Sequence, residues 1–213
     1  NKEIFSLTNT FSENQLIVVL NAFDSIQLSD VLNKNKDWLY NQLNDHVHNT
    51  LFDANSKHDL NHELVNKLKT NYDIVLDIDE NYHLIKENKG FLWIGRGYPY
   101  RWIIVTETKD DYDNKNIFDI YRNLIHKNID GLKIVDTFKT IEYSQNYIKL
   151  SGLYEHEESD TGGPFFSYYF KDNMKNKNIF VSGYVNNPGK SKYKLLKQLE
   201  SVIINNKRIN NEL

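Results

Sequence analysis

The 213-residue chain contains no cysteine. No disulfide framework and no thiolate metal site is therefore possible. Prolines number three, and each stands among turn residues: Pro99 after Gly95 and Gly97, Pro164 after Gly162 and Gly163, Pro188 before Gly189. No run of eighteen apolar residues exists, so no segment reads as a membrane-spanning helix. A basic excess is lacking too. Lysine and arginine total 26 against 29 acidic residues, a net charge of -3, and the signs are mixed along the chain. A phosphate-backbone partner would call for a basic face, so no nucleic-acid partner is expected. No signal peptide is visible. The chain begins at Asn1 without a methionine, as expected of a mature or trimmed form.

What is present is a globular composition, 39% apolar and 13% aromatic, in a chain long enough to bury a core without staples. The Asn and Lys content fits an AT-rich coding bias, since apolar residues recur at structural spacing throughout. The clearest local signal is Thr161 to Lys190. Two aromatic and β-branched runs, Phe165 to Phe170 and Ile179 to Val185, flank a polar connection whose one apolar residue is Met174. That pattern predicts a β-hairpin, bounded by Gly162-Gly163-Pro164 and by Pro188-Gly189.

Upstream, Gln15 to Ala22 is a continuous apolar run, read as a strand buried on both faces or packed under helices. Residues Asn1 to Phe11 have only weak strand character, so this strand is expected to find its partner elsewhere. Asp24 or Ser25 can cap a helix from Ile26 to about Phe52, and a second spans Asp59 to about Tyr72. Ile74 to Ile78 alternates and predicts a strand. Tyr82 to Ile85, Phe91 to Ile94 and Trp102 to Thr106 predict an antiparallel meander. A helix opening at Asp110 to Asn114 and ending at Gly131 follows, then strands Thr140 to Tyr143 and Tyr147 to Tyr154, the hairpin, and a helix from about Ser191 to Asn206. The order predicts an α+β protein: an antiparallel sheet with helices packed on one face, in residues 71–213, and a smaller N-terminal lobe of a strand and two helices, in residues 1–70.

Asn187-Pro-Gly-Lys-Ser191 resembles the end of a phosphate-binding loop, but that loop needs a glycine five positions before Gly189, where Tyr184 stands. A turn before a helix is the reading retained. His58 and His62 lie four apart on a predicted helix, and a pair in a polar segment reads as exposed side chains. No metal or other cofactor is expected. Glu155, Glu157, Glu158 and Asp160, with His156 among them, form an acidic turn out of register for a calcium loop. Tyr98, Tyr100, Arg101 and Trp102 are grouped beside glycines, and Tyr168, Tyr169 and Tyr184 form a second aromatic group. Such faces bind sugars or peptides, or fill a sheet core, and core packing is favoured for most of them. Gly-x-Ser-x-Gly is absent.

Several motifs in order resemble a known family. They are Gln15-Leu-Ile-Val18, Asp24-Ser25, Phe91-Leu-Trp93, Arg122, Ile129-Asp-Gly131, Gly152-Leu-Tyr154, Gly162 to Tyr168, Gly183 to Val185, Pro188 to Lys192 and Leu199-Glu200. Gly-Gly-Pro-Phe-x-Ser-Tyr at Gly162 to Tyr168 is the most specific. In this order they resemble the bacteroidete-type envelope lipoproteins of domain of unknown function 4837, over about residues 14 to 206. Thr161 replaces the family's usual methionine, and Ser191 interrupts its paired basic residues. The resemblance implies a longer N-terminus with a lipidated cysteine, and a place on the periplasmic face of the cell envelope. It implies no established activity. The expected function is a non-enzymatic domain binding a partner protein or envelope polymer, with a surface at Gly162, Gly163, Pro164, Tyr184, Pro188 and Lys190. The alternative is a hydrolase of envelope sugar or peptide polymers using carboxylates of Glu155 to Asp160.

Overall fold

A computed structural model describes residues 3–55, 59–110, 117–157, 159, 161–172 and 177–204. The chain divides into two compact units, Asn1–Ala54 and Asn55–Leu213.

In the first unit, β1 (Ile4–Thr8) and β2 (Leu16–Leu20) form an antiparallel pair, with Ile4 opposite Leu20. The apolar run at residues 15–22, expected to take its partner from somewhere else, finds it locally in β1. Every residue of β2 is half-buried, so it is not a strand buried on both faces. Asp24 caps α1 (Ser25–Lys34) by accepting the Gln27 N–H at 2.8 Å. The single helix expected from Ile26 is interrupted at Asn35, and α2 (Lys36–Asn55) follows it. Both the backbone N–H and the side-chain amide of Asn35 donate to Val31 O. Asn competes for nearby carbonyls in this way, which suits it to a helix end. Ser6 Oγ donates to Gln42 Oε1 and ties β1 to α2.

In the second unit, α3 (His62–Tyr72) buries Leu64, Leu68 and Tyr72, and Asn61 caps it. The helix, expected in the N-terminal lobe, contributes these three residues to the core of the second unit. Ile74, Leu76 and Ile78 are buried and alternate with exposed neighbours, yet no strand forms there. Only an isolated bridge joins Leu60 to Asp79. Alternation records which side is covered; a strand also needs a neighbouring backbone to pair with.

The expected meander is present as β3 (His83–Asn88), β4 (Phe91–Arg96) and β5 (Tyr100–Thr108). After α4 (Ile117–Asn128) come β6 (Leu132–Ile134), β7 (Thr140–Tyr143) and β8 (Ile148–His156). The hairpin strands are β9 (Thr161–Asp172) and β10 (Lys177–Asn186), and α5 (Tyr193–Ile204) follows. The eight strands form one antiparallel sheet, in the order β3-β4-β5-β10-β9-β8-β6, with β7 also paired to β8. The hairpin lies at the sheet's centre, with Ser167 opposite Ser182.

The protein is α+β with an antiparallel sheet, as its sequence predicts. Its helices, expected on one face, divide between two. On one face α3 and α5 cover Leu92, Ile103, Phe166, Tyr168, Val181 and Val185. On the other, Ile117, Tyr121 and Ile125 of α4 cover Ile104, Phe165, Tyr169, Phe180 and Tyr184. The reason lies in the hairpin: Phe165 and Phe166 point to opposite faces, as do Tyr168 and Tyr169. A strand apolar on both sides needs cover on both.

Candidate binding groove

The paired end of β8 and β9 shapes the candidate site. Leu153 lies opposite Pro164, Tyr154 opposite Gly163, and Glu155 opposite Gly162. Residues directly opposite share a face, and alternate residues along a strand share one too. Leu153, Glu155, Gly162 and Pro164 therefore lie on the same face as Phe166 and Tyr168, the face that α5 covers. An open groove of about 750 Å³ lies here. Val135, Leu153, Glu155, Glu157, Pro164 and Lys192 are among the residues lining it, with Gly162 and Gly163.

The two glycines are required by crowding. A Cβ at Gly163 would stand 2.0 Å from Val185 O, and one at Gly162 would stand 2.6 Å from Tyr154 O. The β9–β10 ladder ends at Tyr184 and Phe165, just before these positions. Backbone takes the space that a side chain would occupy.

Charge in the groove is of both signs. Glu157 is engaged by Lys133 in an exposed ion pair, and that carboxylate raises the lysine's pKa. Glu155 is exposed and makes no ion pair among the described residues. Half-buried Lys192 enters from the segment before α5, and its Nζ lies 3.4 Å from Lys190 O.

The six residues expected to form one surface are separated. Gly162, Gly163 and Pro164 line the groove. Pro188 and Lys190 are exposed in the turn after β10, outside the groove lining, and Lys190 Nζ stands 5.8 Å from the centre of the Tyr98 ring. Tyr184 is fully buried on the opposite face, where its hydroxyl bonds to that of Tyr121. It is a core residue and corrects the expected surface. Leu153 and Lys192 fall within the motifs Gly152-Leu-Tyr154 and Pro188 to Lys192, but neither is expected in the binding surface from the sequence. Their place follows from strand pairing and from where α5 begins, neither of which has a local signature.

Other sequence candidates are placed as follows. Residues 187–191 form a turn, with Lys190 N donating to Asn187 O and Gly189 at φ 69°. Tyr98 and Tyr100 are exposed and meet edge to face at 6.0 Å. Trp102 instead packs against Trp93 and Tyr154. Glu158, Asp160 and His58 lie outside the described residues. His62 opens α3. Among the described residues no group of three or more His, Cys, Asp or Glu could hold a metal ion. No helix among them is long and apolar enough to cross a membrane.

Compared with known families, residues 61–205 match the sequence model of Domain of unknown function (DUF4837). The chain belongs to the DUF4837 family. The match begins at Asn61 and runs from α3 to the end of α5, so the groove lies inside the family domain. The N-terminal motifs, Gln15 to Val18 and Asp24-Ser25, lie before it. A solved structure from Bacteroides thetaiotaomicron VPI-5482 is similar over 61% of this chain, with 8% identity and a TM-score of 0.37. The similarity covers 43% of that protein's length. No curated protein matches the chain.

Proposed function

We propose that this DUF4837 chain is a non-enzymatic binding domain of the cell envelope. It acts on the periplasmic side, tethered in its full-length form by an N-terminal lipid, and holds a partner protein or envelope polymer. The lipid and the location rest on the resemblance to envelope lipoproteins. The contact surface is the groove at the Gly162–Pro164 end of the sheet. One observation carries this reading: crowded backbone at Gly162 and Gly163 keeps that strand end bare of side chains, beside Glu155 and Lys192. Sites built on paired strands hold their geometry better than sites on loops. The hydrolase reading needs two carboxylates held roughly 5–9 Å apart across a cleft; of its acidic residues Glu155 and Glu157 lie among the described residues, and Glu157 is paired with Lys133.

The test is site-specific photo-crosslinking in intact envelopes, with the crosslinker at Leu153. The expected result is one recurrent adduct that weakens in Lys192→Glu and persists in Lys194→Glu, a control outside the groove. An adduct equally strong in both variants would remove the groove as the site. Fractionation to the cytoplasm would remove the envelope assignment.

A further inference from the structure

We infer that the groove takes an extended peptide segment bearing a positive and a negative group, with the amine at Glu155 and the carboxylate at Lys192. The inference rests on the groove being the binding site and adds the chemistry of its occupant. The groove is open and measures about 750 Å³, room for a short peptide laid along it. Its wall has an apolar part, the half-buried side chains of Val135, Leu153 and Pro164. These suit a short aliphatic side chain.

The charges narrow the class further. Lys133 pairs with Glu157 and stands opposite Glu155 in the β6–β8 ladder, so it offsets part of the acidic charge, while Glu155 makes no ion pair of its own among the described residues. Lys192 is the groove's cation and makes no ion pair among the described residues. It immediately precedes α5, whose first turn carries no acidic residue. The positive end of that helix dipole adds to the Lys192 charge. A polyanion would meet Glu155 with like charge. A neutral glycan would leave both Glu155 and Lys192 without a counter-charge. A peptide with a free amine and a free carboxylate answers both, through charge-assisted hydrogen bonds.

The experiment titrates the whole 213-residue chain with aliphatic peptides of two to four residues, by calorimetry and amide chemical shifts. Each peptide is used with free ends, N-acetylated, C-amidated, and blocked at both ends. Peptides with free ends should bind and shift the amides of Leu153, Glu155 and Gly162. Acetylation should weaken binding about tenfold, as expected for one charge-assisted contact. Glu155→Gln should weaken the free peptide by the same factor and leave the acetylated one unchanged. Amidation and Lys192→Gln should be coupled in the same way. Equal affinity for the four forms, or no binding by any of them, would overturn the inference. So would a variant that weakens all four forms alike. If a variant fails to fold, the four peptides on the unaltered protein still decide the outcome. Binding of a neutral oligosaccharide in the groove without peptide binding would overturn the inference while leaving the groove as the site. Crosslinking insensitive to Lys192→Glu would remove the site itself.

Discussion

Tyr168, in the middle of β9, donates a 2.8 Å hydrogen bond to Glu200 Oε1 on α5. Lys149 Nζ of β8 lies 2.6 Å from the same oxygen, and Lys197 Nζ lies 2.8 Å from Oε2. Glu200 is only 2% exposed. A carboxylate so buried is tolerated because two ammonium groups and a phenol satisfy it. This cluster fixes α5 on the sheet, and α5 in turn sets where Lys192 enters the groove.

The cluster makes stability depend on pH in a defined direction. Burial alone would raise the Glu200 pKa, but Lys149 and Lys197 override it and lower it from 4.5 to about 2. A folded-state pKa below the unfolded one gives stability that is full above about pH 4.5. That stability is lost as pH falls from there toward 2. Its size is roughly 3 kcal/mol. Urea unfolding should show the unaltered protein losing this increment between pH 5 and 2. Glu200→Gln should be weaker at pH 7 and flatter over that window. Parallel pH curves for the two proteins would refute the assignment.

Gly163→Ala should destabilise the fold by about 2 kcal/mol or more, because its Cβ would collide with backbone that has no room to move. Gly97→Ala is the matched control, since nothing lies within 4 Å of its Cβ position. Thermal unfolding midpoints compare the two. Gly163→Ala is consequently a poor binding probe: it perturbs the strand end itself. Glu155 and Lys192 are the positions that separate binding from folding.

Tyr184 and Tyr121 join β10 to α4 through their buried hydroxyls. Tyr184→Phe should cost about 1–2 kcal/mol, since it leaves Tyr121 with one partner fewer. The double variant with Tyr121→Phe should cost less than the sum of the two singles, because the second change removes the hydroxyl whose partner the first one took away. Strict additivity in chemical denaturation would show that the two hydroxyls act independently.

Leu68→Ala should cost about 2–5 kcal/mol through the cavity it leaves. Leu68 is fully buried in the core that α3 shares with β4, β5 and β10. Hydrogen exchange should therefore rise at the amides of those strands. Ile26→Ala, at a side chain 73% exposed, should stay within about 0.5 kcal/mol of the unaltered protein.

Much of the second unit was legible before the structure. The hairpin, the meander and the apolar faces of α3, α4 and α5 each carry a local periodicity, and each is found close to its expected place. What escaped was short or relational. The three residues of β6 owe their strand to Tyr154 to His156 of β8, which pair with them. Residues 74–78 have a strand's alternation but only an isolated bridge at Asp79. In the site, Gly162 to Pro164 stood out because glycine and proline announce unusual backbone. Tyr184 misled because an aromatic residue in a strand reads alike whether its face is covered or open.

The amino-acid order alone determined the helical faces of α3, α4 and α5, the strands of the meander, and that β9 and β10 pair across a short connection. These are local matters of period, turn chemistry and chain proximity. Only the tertiary structure decided that helices cover both faces of the sheet and that Tyr184 lies beneath α4. It also brought Glu155 and Lys192 to one groove. Those outcomes depend on which distant backbones lie side by side, and pairing between strands far apart in sequence leaves no mark on either strand by itself.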